Sequence, residues 1–177
     1  MKVLKKIIFI VVLVSISIGL LFVGSGYDMY KKAIEETSIE DKIAEIKSKE
    51  NYTKISELPQ MYKNAVISVE DHRFYKHNGI DIIAIGRAAF NDIKAMSFVE
   101  GGSTITQQIA KNIYFTQEKK IERKIAEVFM AFKIEKNCDK DEILELYLNT
   151  SYFGDGYDTP KEACKGYFNK ELNEMTD

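Results

Sequence analysis

The hydrophobic pattern divides the chain near residue 26. Ile7 to Gly26 is an uncharged run, almost all Ile, Val, Leu and Phe until Val23, and Lys2, Lys5 and Lys6 precede it. Twenty residues of α-helix cover about 30 Å, the thickness of a bilayer's hydrocarbon core. The run exceeds the roughly 7–15 apolar residues of a cleavable signal peptide, although Gly24, Ser25 and Gly26 are small enough for cleavage. The favoured reading is an uncleaved single-pass anchor over 7–26 in the cell membrane, with a basic cytoplasmic tail over 1–6. Everything from Tyr27 onward is then expected outside the membrane.

Beyond the anchor the period is mostly helical. Ile39, Ile43 and Ile46 recur at i, i+4, i+7 among Glu and Lys, which predicts a helical stalk over 27–49. Tyr, Thr and Ile alternate with polar residues from Glu50 to Leu58, a weak pattern for a short strand or hairpin. Pro59 suits the first turn of a helix from Gln60 to about Val69. Asp81 reads as the N-cap of a helix whose buried face holds Ile82, Ile85, Ala89 and Ile93. Thr104 and Gln107 form a capping box for a helix through about Tyr114. Ile121, Ile125, Val128 and Phe132 make an apolar stripe. Asp139 with Glu142, and Thr159 with Pro160 and Glu162, open two further helices. No internal repeat and no βαβ alternation is visible, so the fold class is mainly α.

Composition narrows the classes of function. The 177 residues are 45% hydrophobic and 29% charged, enough for a buried core. Ten Gly and two Pro exclude collagen-like character, and two Cys exclude a disulfide framework or a Cys-based zinc site. Cys138 and Cys164 fall outside the membrane, and spacing leaves their pairing open. A net charge of −2 argues against a nucleic-acid-binding polycation. Only three of the 25 cations are Arg, namely Arg73, Arg87 and Arg123, all in mid-chain. Planar, bidentate guanidinium groups are thus confined to one region.

Four segments carry candidate chemistry. In EDHRFYKHNGID, Glu70 ends an apolar helix and Phe74 and Tyr75 follow; an apolar setting raises a carboxyl pKa and suits a general base. His72 and Arg73 could orient it or hold an anion, or the segment could be a helix end with a solvated Glu-Asp pair. GGSTITQQIAKN places Gly101, Gly102, Ser103 and Thr104 before a helix start, whose free N–H groups favour anions. Gln108 and Lys111 share a face there; the plain alternative is an ordinary capped helix. From Lys119 to Lys136, Lys120, Arg123, Lys124 and Glu127 form one helical stripe. Residues 111–136 carry a local charge of +3, which suits a phosphate or pyrophosphate. Glu127 is a candidate second carboxylate; the alternative is a solvated face with Arg123–Glu127 pairing. KDEILELYLNTSYFG, 140–154, reads as a core helix with no visible functional content.

Together these motifs, in this order over about 55–170, resemble the family-51 glycosyltransferases, the peptidoglycan polymerases. The resemblance implies a lysozyme-like fold with a small jaw subdomain near the bilayer, over 50–177, of the monofunctional type. It implies a reaction joining the disaccharide of lipid II to a nascent glycan strand, with release of undecaprenyl pyrophosphate. Glu70 would be the general base on the acceptor 4-hydroxyl, with Glu127 on the donor side. Lys111, Arg123 and Lys124 would neutralise pyrophosphate, and Lys119 stands where some relatives carry Arg. Ser103, Gln107, Gln108 and Arg87 match substrate-binding positions, with Asp71 and Arg73 supporting the base. No certain cofactor follows, although a divalent cation (Mg or Mn) has a place at the pyrophosphate. The partners implied are lipid II, the nascent glycan strand, the membrane and other cell-wall synthesis proteins, without nucleic acid.

Family chains continue past Tyr167 and Phe168 into further helices and a fifth motif. Their absence before Asp177 implies a fragment or a truncated product, which is expected to fold poorly or to lack full activity. Two other readings remain open: a lysozyme-type glycan hydrolase, and a non-catalytic cell-wall binding protein.

Overall fold

A computed structural model describes residues 2–97, 101–116 and 118–175. The expected tail's first residue and the domain's last two therefore lie outside the described residues. Eight α-helices follow in order: α1 Lys2–Glu36, α2 Ile39–Lys47, α3 Gln60–Glu70, α4 Ile82–Ala95, α5 Ile105–Tyr114, α6 Ile121–Asn137, α7 Lys140–Leu148 and α8 Pro160–Phe168. Short 3-10 turns occupy Ile55–Glu57, Phe74–Lys76 and Leu172–Glu174. No strand occurs among the described residues, in keeping with the mainly α class.

Anchor and stalk are one helix as far as Glu36. α1 is long and apolar enough to cross a membrane, and its apolar part is exposed all round. Thr37 and Ser38 break the helical run, and the Ser38 hydroxyl accepts the Asp41 N–H to start α2. The stalk reading misses the burial of α2: Ile39 and Ile46 are 1% and 4% exposed, inside the main core. α1 itself packs along α6. Gly26 makes that approach close, for a Cβ there would lie 2.6 Å from Ile125 and 2.8 Å from the Glu122 carbonyl oxygen. Tyr27, Tyr30 and Phe129 complete the contact with ring centroids 5.2–5.9 Å apart.

The core proper lies where α5 packs against α6 and α7. Phe74, Ile105, Ile109, Met130, Ile134, Ile143, Leu144 and Leu148 are almost fully enclosed there. Three expectations need correction. On α6, Ile121 and Phe132 are exposed, while Ala126, Glu127, Met130, Ala131 and Ile134 are buried. Covered by α1 on one side and α5 on another, this helix cannot be read from a single stripe. On α4, Ile82, Ile85, Ala89 and Ile93 are exposed and only Ala88 is buried, because the helix meets the rest of the domain along one narrow edge. Instead of a strand, 52–54 is extended chain paired to side chains of α7. Asn149 accepts the Thr53 N–H and donates to the Thr53 carbonyl, each at 2.8 Å. Glu145 accepts the Ile55 N–H at 2.6 Å and the Tyr52 hydroxyl. With no neighbouring strand, side chains take up these backbone groups.

The remaining caps form as expected. Asp139 and Thr159 accept the N–H groups of Glu142 and Glu162, and Pro160 sits in the first turn of α8. Cys138 and Cys164 are free thiols at the end of α6 and within α8.

Gly26→Ala should destabilise the α1–α6 contact by about 1–3 kcal/mol, the usual cost of overpacking. Gly24→Ala, with open space around its Cβ, should not. Thermal melts of the two variants in detergent micelles measure the difference.

Candidate active site

The end of α3, Ala84 and Arg87 of α4, and the 101–104 loop with Gln108 of α5 line one cleft of about 380 Å³. Glu70, Asp71, His72, Arg87, Ser103 and Gln108 are among its lining residues. Glu70 is the last residue of α3 and is exposed at the rim, so the apolar enclosure expected around it is missing. Its Oε2 accepts a hydrogen bond from Gln108 Nε2 at 2.8 Å. Gln108 Oε1 in turn accepts from the Tyr147 hydroxyl at 3.4 Å. Burial, and then the charge of Glu70, raise the pKa of that Tyr147 phenol.

The residues after Glu70 fasten α3 to the head of α5. Asp71 is 7% exposed and its Oδ2 accepts the Ile105 N–H at 3.1 Å. Both its oxygens lie 2.9–3.0 Å from His77 Nε2. The Thr104 hydroxyl donates to the Gly79 carbonyl at 2.6 Å, from the second turn of the same loop. Arg73 pairs with Asp81 at 2.8 Å. Asp81 caps α4 through the N–H groups of Ile83 and Ala84. Burial opposes the charge of Asp81, but the Ala84 N–H, Arg73 and the Ile83 N–H outweigh it and hold the carboxyl below its ordinary range.

Behind Ser103 of the cleft wall, α6 supplies positive charge. Glu127 is only 1% exposed and takes both cations of its own stripe, Arg123 at Oε1 and Lys124 at Oε2. The Lys124–Glu127 distance is 2.8 Å, and the same ammonium donates to Ser103 Oγ at 2.6 Å. The solvated face considered from the sequence is therefore a buried carboxylate paired with Arg123 and with the more exposed Lys124, which is bonded to the cleft wall.

A family model described as Transglycosylase matches residues 38–177. The chain belongs to the transglycosylase family. Penicillin-binding protein 1F of Bacillus subtilis (strain 168) is 50% identical over 122 residues, which are 69% of this chain and 17% of that protein. Penicillin-binding protein 1A of Neisseria gonorrhoeae is 46% identical over 125 residues, 71% of this chain and 16% of that protein. The chain thus spans about a sixth of the length of these curated relatives. The family match begins at Ser38, the cap of α2, in line with the burial of that helix in the core.

Within this transglycosylase cleft the predicted residues sort by what they hold. Glu70, Gln108, Ser103 and Arg87 reach the open cleft, and Lys124 joins it through Ser103. Lys111 lies one turn beyond Gln108 on α5, and its charge is felt at Lys124. Gln107 does not face the cleft. It is 2% exposed and closes the capping box with the Thr104 N–H at 3.1 Å. Asp71 and Arg73 are likewise committed to structural partners. Lys119 is exposed ahead of α6 and makes no hydrogen bond or ion pair with the site residues among those described. Tyr147 was missed because its α7 stripe reads as core; the three-residue gap from Leu144 gives no sign of its contact with Gln108.

Lys124 is tuned by its surroundings. Burial of the ammonium, reinforced by Arg123 and Lys111, pushes the Lys124 pKa down to about 8. Lys124 therefore loses its charge as pH rises through about 8. Binding of inorganic pyrophosphate, followed by calorimetry, should weaken over that interval, and Lys124→Arg should extend binding to higher pH. Glu127→Gln should leave two crowded cations unpaired and cost about 3–5 kcal/mol of stability, measurable by chemical denaturation.

Proposed function

We propose that the chain is a peptidoglycan glycosyltransferase that polymerises lipid II into β-1,4-linked glycan with inversion, releasing undecaprenyl pyrophosphate. The observation that carries this reading is one cleft lined by the accessible Glu70 carboxylate and by Ser103, to which Lys124 of the Arg123–Lys124–Glu127 cluster is bonded. Inversion requires a base on one face of the sugar and stabilisation of the leaving group on the other. Glu70 suits the first task. Gln108 occupies Oε2, leaving Oε1 to take the proton of an acceptor 4-hydroxyl as that oxygen attacks the donor's anomeric carbon. Lys124 and Ser103, with Arg123 and Lys111 behind them, suit the second, because charge grows on pyrophosphate as the glycosidic bond breaks.

Glu127 acts in this reading by holding those cations in place. Its carboxylate is enclosed and doubly paired, so it offers no proton to a leaving group and no free oxygen to a nucleophile. This disfavours the hydrolase alternative, which needs a second working carboxyl. A divalent cation, Mg or Mn, at the pyrophosphate would take phosphate oxygens and water as most of its ligands, because Glu127 is already paired with Arg123 and Lys124.

α1 provides the means of holding lipid-linked substrates at a bilayer, with the basic tail inside and the catalytic domain outside. Its direct partners in this reading are lipid II, the growing strand and the membrane, with other cell-wall proteins beyond them.

Glu70→Gln should lower lipid II polymerisation by about 100-fold or more, the usual contribution of a general base, without altering the melt. Polymerisation at the wild-type rate by that variant refutes the assignment.

A further inference from the structure

The contacts between α1 and α6 fix the direction in which α6 runs. Gly26 abuts the Glu122 carbonyl and Ile125 in the first turns of α6. Tyr27 and Tyr30 meet Phe129 further along. Asn137, the last residue of α6, donates to Glu40 of α2 at 2.6 Å. Successive contacts climb both helices together, so α6 lies parallel to α1 and its head points back towards the apolar run Ile7–Gly26. Ile121 precedes the two residues that touch Gly26 by one and four positions. At ~1.5 Å per residue it lies about 2–6 Å nearer the apolar run than that contact does. This is the level of the turn in which α1 leaves its last large apolar residue, Val23.

The residues at this level suit a lipid surface. Ile121 is 61% exposed. Lys119 and Lys120 are exposed beside it, and Lys120 pairs at 2.6 Å with Glu118, itself exposed. Over 119–124 four cations, Lys119, Lys120, Arg123 and Lys124, stand against Glu122. On α1 the neighbouring Tyr27 is 46% exposed, and a half-exposed Tyr just past an apolar run is the residue type found at headgroup level. Long Lys side chains lay their methylenes along apolar matter and keep the ammonium among phosphates. The height is also held firmly, because α1 is one unbroken helix through Glu36 and Gly26 seats it directly on α6.

We propose that Lys119, Lys120 and Ile121 form a membrane-contact surface, in which Ile121 enters the headgroup layer and the two lysines pair with the phosphates of anionic phospholipids. The inference rests on α1 crossing the bilayer, as in the reading above, and is independent of the reaction. A single crossing helix leaves a domain free to lean about its point of exit. A second contact, placed on α6 and braced against α1 by Gly26 and the Tyr27–Tyr30–Phe129 rings, removes that freedom. The domain is then held at one tilt as well as one height.

The chain contains no Trp, so Ile121→Trp introduces a single fluorophore at an exposed position. The full chain is reconstituted in vesicles of equal parts phosphatidylcholine and phosphatidylglycerol. Part of the phosphatidylcholine is brominated, either near the headgroup end of its acyl chains or near their tips. Leu13→Trp, midway along the apolar run, is the reference. Emission of the Ile121→Trp variant should fall most with bromine near the headgroups, and that of Leu13→Trp with bromine at the tips. Adding Lys119→Gln and Lys120→Gln to Ile121→Trp should reduce its quenching in these vesicles, since each lysine favours contact with an anionic surface by about fivefold. If Leu13→Trp is quenched and Ile121→Trp is not, α1 crosses the bilayer while the head of α6 stands clear of it, and the proposal is overturned. Quenching unchanged by the lysine substitutions overturns the pairing with phosphates. If neither Trp responds to bromine, the anchor reading fails and takes this contact with it. Should Ile121→Trp be quenched as described while Glu70→Gln polymerises normally, the glycosyltransferase reading has failed and the membrane contact stands.

Discussion

One buried negative charge organises the positive side of this cleft. Glu127 would be costly to enclose alone, and Arg123 and Lys124 would repel each other if left without it. Placed three and four residues apart on one helix face, they satisfy the carboxylate together. The cluster keeps a net positive charge, which Lys111 augments and Ser103 brings to the cleft wall. The result is a fixed field ready for an anion, with no side chains left to reorganise as charge develops.

The opposite side is aligned through α5. The head of this short helix is bonded to the loop that follows Glu70, by Asp71 to the Ile105 N–H and by Thr104 to Gly79. One turn on, Gln108 reaches back to Glu70 itself. The body of α5 packs against α6, which bears the cations. Glu70 and the cation cluster therefore share a single rigid reference. α1, long and apolar enough to cross a membrane, shares that reference, since Gly26 and the Tyr27–Tyr30–Phe129 cluster seat it directly on α6.

Local signals were legible where they depended on neighbours in sequence. The Thr104–Gln107 box, the Asp81, Asp139 and Thr159 caps and the apolar run of α1 all formed where the residues placed them. The same local reasoning failed where burial has two sources. Ile121 and Phe132 looked like the inner stripe of α6, but that helix is enclosed by α1 and α5 along other faces. Ile82 and Ile93 looked buried on α4 and are not, because hydrophobic spacing identifies a face without saying what covers it. The alternation in 50–58 mimicked a strand, yet its hydrogen-bond partners proved to be Asn149 and Glu145, about 90–96 residues away.

By itself, the amino-acid sequence determined the helical class, the apolar first helix, the capped helix starts, the family and the identity of the chemical groups. These follow from short-range periodicity, backbone capping and long ordered motifs. Tertiary structure decided which of those groups are free to act. Gln107 and Gln108 are adjacent, but a helical rotation of about 100° between them sends one into a cap and the other to Glu70. Glu127 and Glu70 are both carboxylates in the family's motifs, yet one is enclosed by two cations and the other stands at the cleft's rim. Burial and partnership arise from contacts between segments far apart in the chain, and only the folded molecule contains them.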